Sequence, residues 1–88
     1  MKINEKIVLE IEEKTKCPIL EMFYTEDDGY WYVCFEEFLT KNGIEQIVHL
    51  DDVLEKIEKY TNIEYLTNEV YIDDNDDWFE QITFHWKE

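Results

Sequence analysis

The chain has no arginine, one proline, two glycines and two cysteines in 88 residues. Each scarcity narrows the possibilities. Without arginine, and with 8 lysines against 23 carboxylates, it carries a formal charge of -15 and would be repelled by nucleic acid or an anionic membrane surface. So little Pro and Gly leaves no material for a flexible linker, a low-complexity tract or a glycine-rich phosphate loop. Cys17 and Cys34 allow one bridge at most, and their spacing fits neither a disulfide framework nor a zinc site, so reduced thiols are expected. No apolar run approaches the roughly 20 residues of a membrane span, and the N-terminus lacks a signal-peptide pattern. The expectation is one intracellular domain over residues 1–88.

Aromatic residues, by contrast, are abundant. Three Trp, six Tyr and five Phe make up 16% of the chain. Acidic disordered segments are normally poor in aromatics, so this combination points to a folded domain that carries a negative field. At this length one modest core is possible, and crowding of like charge costs part of its stability.

Hydrophobic spacing gives a coarse fold. Ile3, Ile7, Val8 and Ile11 recur at helical spacing, with Asn4 as cap and Lys14 and Lys16 in the last turn, so a helix is predicted from Asn4 to about Lys16. Pro18 breaks that pattern. Ile19 to Thr25 and Tyr30 to Phe38 read as a hairpin around Asp28-Gly29, pairing Tyr24 with Val33 and Met22 with Phe35. Leu20, Met22, Tyr24, Trp31, Val33 and Phe35 then form the core face, and Glu21, Phe23, Thr25, Tyr32, Cys34 and Glu36 the other. Asn42-Gly43 introduces a third strand, Ile44 to Leu50, on which Val48 and Leu50 continue the core face and His49 lies across from Glu36. A second helix begins at Asp51-Asp52 with a capping-box-like Asp52 and Glu55, buries Val53, Leu54, Ile57 and Tyr60, and ends near Asn62. Two last strands, Tyr65 to Ile72 and Trp78 to Trp86, flank the turn Asp73-Asp74-Asn75-Asp76-Asp77. The class is α+β, an antiparallel sheet of four or five strands with two helices in the order α-β-β-β-α-β-β.

Catalytic and metal signatures are missing. His49 and His85 have no metal-ligand spacing, there is no nucleophile elbow, and Cys34 reads as a small hydrophobe. Asp73, Asn75 and Asp77 match the first, third and fifth positions of a calcium loop, but Trp78 stands where Gly is required and Phe84 where a bidentate Glu is required. No enzymatic activity, cofactor or metal is expected.

The placement of charge is more telling than its total. Between Cys17 and Thr40 there are six acids and no Lys, and between Tyr60 and Trp86 seven acids and no Lys. Lysines fall mainly on the helices, where Glu and Lys pair locally. Carboxylates at i and i+2 on a strand lie about 6.6 Å apart, a spacing comparable to that of nucleic-acid phosphates. Glu21, Glu26, Asp27, Asp28, Glu36 and Glu37 form one candidate partner-binding cluster, and Asp73, Asp74, Asp76 and Asp77 a second. Tyr30 and Tyr32 beside the first, with Phe23 and Tyr71 near the same outer face, add the aromatic component of a surface that meets Arg and Lys.

In kind, the chain resembles the small acidic inhibitors that phages and mobile elements deploy against host nucleases, including type II anti-CRISPR proteins, anti-restriction proteins and uracil-glycosylase inhibitors. The start Met1-Lys2-Ile3-Asn4-Glu5 leading into a short helix, then three strands and a helix beginning near Asp52, is similar to the element order of one anti-CRISPR family. Two strands follow here where that family has further helix. The resemblance implies a non-catalytic protein that blocks a basic nucleic-acid-binding groove by mimicry. Two other readings stay open: an immunity protein against a cognate basic nuclease toxin, and a non-inhibitory structural or regulatory module whose acidity serves solubility.

Overall fold

A computed structural model describes residues 1–41, 43–46 and 49–87. The elements are α1 (Glu5–Thr15), β1 (Ile19–Thr25), β2 (Tyr30–Lys41), β3 (Ile44–Glu45), α2 (Leu50–Ile57), β4 (Ile63–Ile72) and β5 (Trp78–Lys87), in the predicted order. The sheet is antiparallel with spatial order β1-β2-β5-β4, and β3 pairs the far end of β2.

α1 starts where Asn4 accepts the Ile7 N–H through its side chain at 2.9 Å, and it ends at Lys16 in a left-handed conformation, φ 63°. Both ends are therefore written in local sequence. Glu12 then turns the chain into β1 by accepting the Ile19 N–H at 2.6 Å. The segment before α1 is clamped from afar: the Ile3 N–H donates to Asn62 Oδ1 at 2.7 Å, and Asn62 Nδ2 donates to the Ile3 carbonyl at 3.1 Å. Asn62 does this in place of ending α2, which stops at Ile57.

The hairpin between β1 and β2 differs from expectation in its loop. Glu26 to Gly29 form a four-residue turn, with the Gly29 N–H donating to the Thr25 carbonyl at 2.8 Å and Gly29 at φ 73°. Tyr24 consequently pairs with Trp31 and Met22 with Val33. The slip is two residues, so each side chain keeps its predicted face. Leu20 is the exception. A bulge between Ile19 and Glu21 gives Ile19 the core position opposite Phe35 and leaves Leu20 53% exposed. Tyr24, at the sheet's end, is also exposed.

Of the predicted third strand, Ile44–Glu45 are strand and Gln46 and His49 are not, and Leu50 enters the core from α2 rather than from a strand. Val48 and Asn42 lie outside the described residues. α2 does not use the Asp52 and Glu55 box. Its cap residue is His49, which makes no side-chain capping bond.

Both helices pack on one face of the sheet. Val8 and Ile11 from α1, and Leu50, Val53 and Ile57 from α2, bury against Val33 and Phe35 of β2 and Ile82, Phe84 and Trp86 of β5. Leu54 and Tyr60 flank this cluster, and Trp31 stacks on Trp86 at 5.9 Å. Cys17 belongs to the core, whereas Cys34 is buried on the opposite face; both are free thiols. Among the described residues no helix is long and apolar enough to cross a membrane.

A one-sided core makes a sharp expectation about stability. Phe84→Ala removes a fully buried ring and should cost about 3–5 kcal/mol, comparable to the whole stability of a small domain. Phe23→Ala, on the outer face, should cost about 1 kcal/mol or less. Urea unfolding followed by circular dichroism separates the two; similar losses would mean that the outer face is also a packed core.

Candidate functional site

The face of the sheet turned away from the helices is ordered into transverse rows, because antiparallel register places one residue from each strand side by side. Phe23, Tyr32, His85 and Tyr65 form an unbroken row across β1, β2, β5 and β4, with ring centroids 5.4, 5.0 and 5.1 Å apart. Phe38, Phe79 and Tyr71 form a second row across β2, β5 and β4, at 4.4 and 5.1 Å. Tyr32 and Phe38 are six positions apart on β2, so the rows are about 20 Å apart.

Two polar rows lie between them. Glu21, Cys34, Thr83 and Thr67 make the first, and Glu36, Gln81 and Glu69 the second. Glu36 is fixed: its Oε1 accepts from the Tyr71 hydroxyl and from Gln81 Nε2 at 3.0 Å. That carboxylate bond is the main reason the Tyr71 hydroxyl is pushed up from 10.0 to about 12. The Tyr30 hydroxyl, beyond the first aromatic row, is also raised, chiefly by the Glu64 carboxylate. The outer face is thus a sheet of rings with carboxylates set among them. Phe23 and Tyr65 remain 45% and 51% exposed.

The structure brings together some of the sequence-predicted residues and separates others. Glu21, Tyr30, Tyr32 and Glu36 share the outer face. Glu26, Asp27 and Asp28 are exposed in the β1–β2 turn, at the end of the sheet where Tyr30 pairs with Lys87. The turn from Asp73 to Asp77 lies at the other end, where Trp78 pairs with Thr40. Tyr30 and Thr40 are ten positions apart on β2, about 34 Å, so the two acidic clusters do not merge. Within the second cluster, Asp73 is used by its own loop, its Oδ1 accepting from the N–H groups of Asn75 and Asp77 at 2.9 and 3.0 Å, and Asp77 is buried. Asp74 and Asp76 are the exposed members.

Glu37 has a different task. It lies two and four residues beyond Phe35 and Val33, on their face of the strand, and so points to the helix side, where it accepts from the backbone N–H groups of His49 and Leu50 and from His49 Nδ1 at 2.8 Å. Its side chain is 11% exposed. A carboxylate on β2 therefore caps α2, satisfying orphan amides and complementing the helix dipole. The expected cross-strand contact of His49 with Glu36 is replaced by this one, because His49 sits at the helix start rather than on a strand.

The residues that sequence reasoning passed over are Phe38, Phe79, Tyr65 and Glu69. Their alternation with Glu37, Glu80, Leu66 and Val70 was visible, but the shared row depends on β5 lying between β2 and β4. Burial, assisted by the nearby carboxylates of Glu37, Glu12 and Glu80, pushes the Cys17 thiol up to about 12. Burial raises Cys34 as well, so neither has the character of a nucleophile. Among the described residues no group of three His, Cys, Asp or Glu side chains is arranged to hold a metal ion. No family model, curated protein or solved structure matches the chain.

Two measurements test these assignments. Glu37→Ala leaves two backbone donors at the start of α2 without their acceptor and should cost about 2 kcal/mol, read from urea unfolding. A loss within error of zero would remove Glu37 from the cap. In an alkaline titration, Tyr71 should ionise later than an ordinary tyrosine, and Tyr71→Phe should remove one late-titrating phenol from the ultraviolet absorbance curve. The folded state holds that proton more tightly than the unfolded chain. Its contribution to stability is therefore complete below pH 10 and is lost between about pH 10 and 12. A Tyr71→Phe curve superimposable on that of the parent would contradict the hydrogen bond.

Proposed function

We propose that the protein is an acidic, non-catalytic inhibitor that occupies the basic nucleic-acid-binding site of a nuclease or another defence protein, as an anti-CRISPR or anti-restriction protein does. The observation that carries this reading is the outer face itself: carboxylates Glu21, Glu36 and Glu69 held between two rows of aromatic rings, with the acidic turns at its two ends. Carboxylates engage the lysines and arginines that otherwise grip phosphates, and ring faces accept the same cations when water is displaced. Aromatic rings beside carboxylates are the two components of a surface that meets Arg and Lys, here with the rings flanking a charged centre.

Charge also sets the kinetics. A body of charge -15 is steered to a positive groove, giving fast association that slows steeply with salt. The inhibitory step is occupancy: the groove is filled, and its nucleic acid, which carries the same sign of charge, is excluded.

The test is affinity capture from host extract at low and high salt. A nucleic-acid-binding protein with a basic surface should be retained at low salt and released at high salt, and its activity should fall when the acidic chain is added. Glu21→Lys with Glu69→Lys, both at exposed positions, should slow association about tenfold or more and restore cleavage without lowering the melting temperature. Absence of any basic protein at low salt would defeat the proposal, and an unchanged on-rate would move the interface off this face.

A further inference from the structure

The two edges of the sheet are treated differently. β1 is seven residues long, follows Pro18 and is broken by the bulge at Leu20. β4 is ten residues long, contains neither Lys nor Pro, and has its one register shift at the start, between Ile63 and Tyr65. An edge of this kind presents a row of unpaired N–H and C=O groups, which natural proteins normally guard with lysine, proline, a bulge or a covering element. Among the described residues, β4 past its first residues has no such guard on either face. α2 packs over β2 and β5 and leaves Leu66, Val70 and Ile72 of β4 at 39%, 52% and 48% exposed on the helix side, while Tyr65 and Tyr71 are 51% and 38% exposed on the other.

We infer that β4 is a strand-addition site: an extended, lysine- or arginine-bearing strand of the basic partner pairs with it and continues the sheet. This rests on the basic-partner reading above and adds the manner of binding to it. Charge selects the occupant. Glu64 and Glu69 lie on β4, Asp74 and Asp76 are exposed just past its end, Glu80 pairs with Val70 on β5, and no lysine occurs between Tyr60 and Trp86. A second copy of the chain would set the same acids, with no lysine on either β4, against these across strands about 5 Å apart, inside the Debye length of about 8 Å at physiological salt. The negative field thus does at this edge what lysines do elsewhere: it turns away copies of the chain, yet it admits a strand of opposite sign. Main-chain hydrogen bonds supply the affinity, and the exposed apolar side chains on both faces receive alternate residues of the incoming strand.

The test uses the isotope-labelled full chain at low salt and three synthetic ten-residue peptides. One alternates Lys and Val, one has the same charge but Pro in place of two central Val, and one alternates Glu and Val. The Lys-Val peptide should protect from hydrogen exchange the β4 amides that point away from β5, the Pro-containing peptide should bind about tenfold or more weakly, and the Glu-Val peptide should not bind. Val70→Lys, at an exposed position, should weaken the Lys-Val peptide about tenfold with the amide spectrum otherwise retained. Equal binding of the two basic peptides, or protection elsewhere, would overturn strand addition and leave the basic-partner reading standing. Failure of both basic peptides together with failure of affinity capture would remove both. Binding of the Glu-Val peptide would overturn the charge selection. A concentration-dependent dimer in sedimentation, with β4 amides already protected, would make the occupant a second copy and overturn the proposal.

Discussion

The packing of Val8, Ile11, Val53 and Ile57 onto Val33, Phe35, Ile82 and Phe84 fixes both helices to one face of the sheet, and the rest of the molecule is arranged around that fact. Two short helices have apolar surface enough to cover the centre of one face. β2 and β5, the central strands, therefore carry the sheet's buried residues, and β4 at the edge carries none. The other face keeps its aromatics because they stack laterally on one another rather than on a second layer.

This arrangement gives the two polar carboxylate systems opposite roles. Glu36 and Glu37 are adjacent in sequence and project to opposite faces. Glu37 is consumed in holding the start of α2, while Glu36 stands on the open face and aligns Tyr71 and Gln81. The acidic excess is thus not uniform in kind. Some carboxylates are structural, some close turns, as Asp73 does, and others stand exposed, as Glu21 and Glu69 do. Both proposals, the acidic outer face and the open β4 edge, draw on the exposed ones.

Much of this was legible in the sequence. Asn4 and Lys16 marked the ends of α1 because helix caps are local, and the alternation of Ile82 and Phe84 with Thr83 and His85 marked the faces of β5. The faces of β1 and β2 survived an error in the turn because a slip of two residues conserves side-chain direction. What was hidden was non-local. Leu20 reads as a core residue until the bulge is known, the cap of α2 comes from Glu37 on another strand, and the two aromatic rows exist only because β5 inserts between β2 and β4. No pattern along the chain encodes that neighbourhood.

One face of the sheet is open to water, and a soluble paramagnetic chelate tests this in the free protein. Proton relaxation of the rings of Phe23, Tyr65 and Tyr71 should increase strongly with chelate concentration, while the rings of Phe35 and Phe84 stay protected. Outer rings as shielded as the core pair would show that the face is covered, and the account of this molecule as a one-sided sheet with a free acidic surface would be wrong.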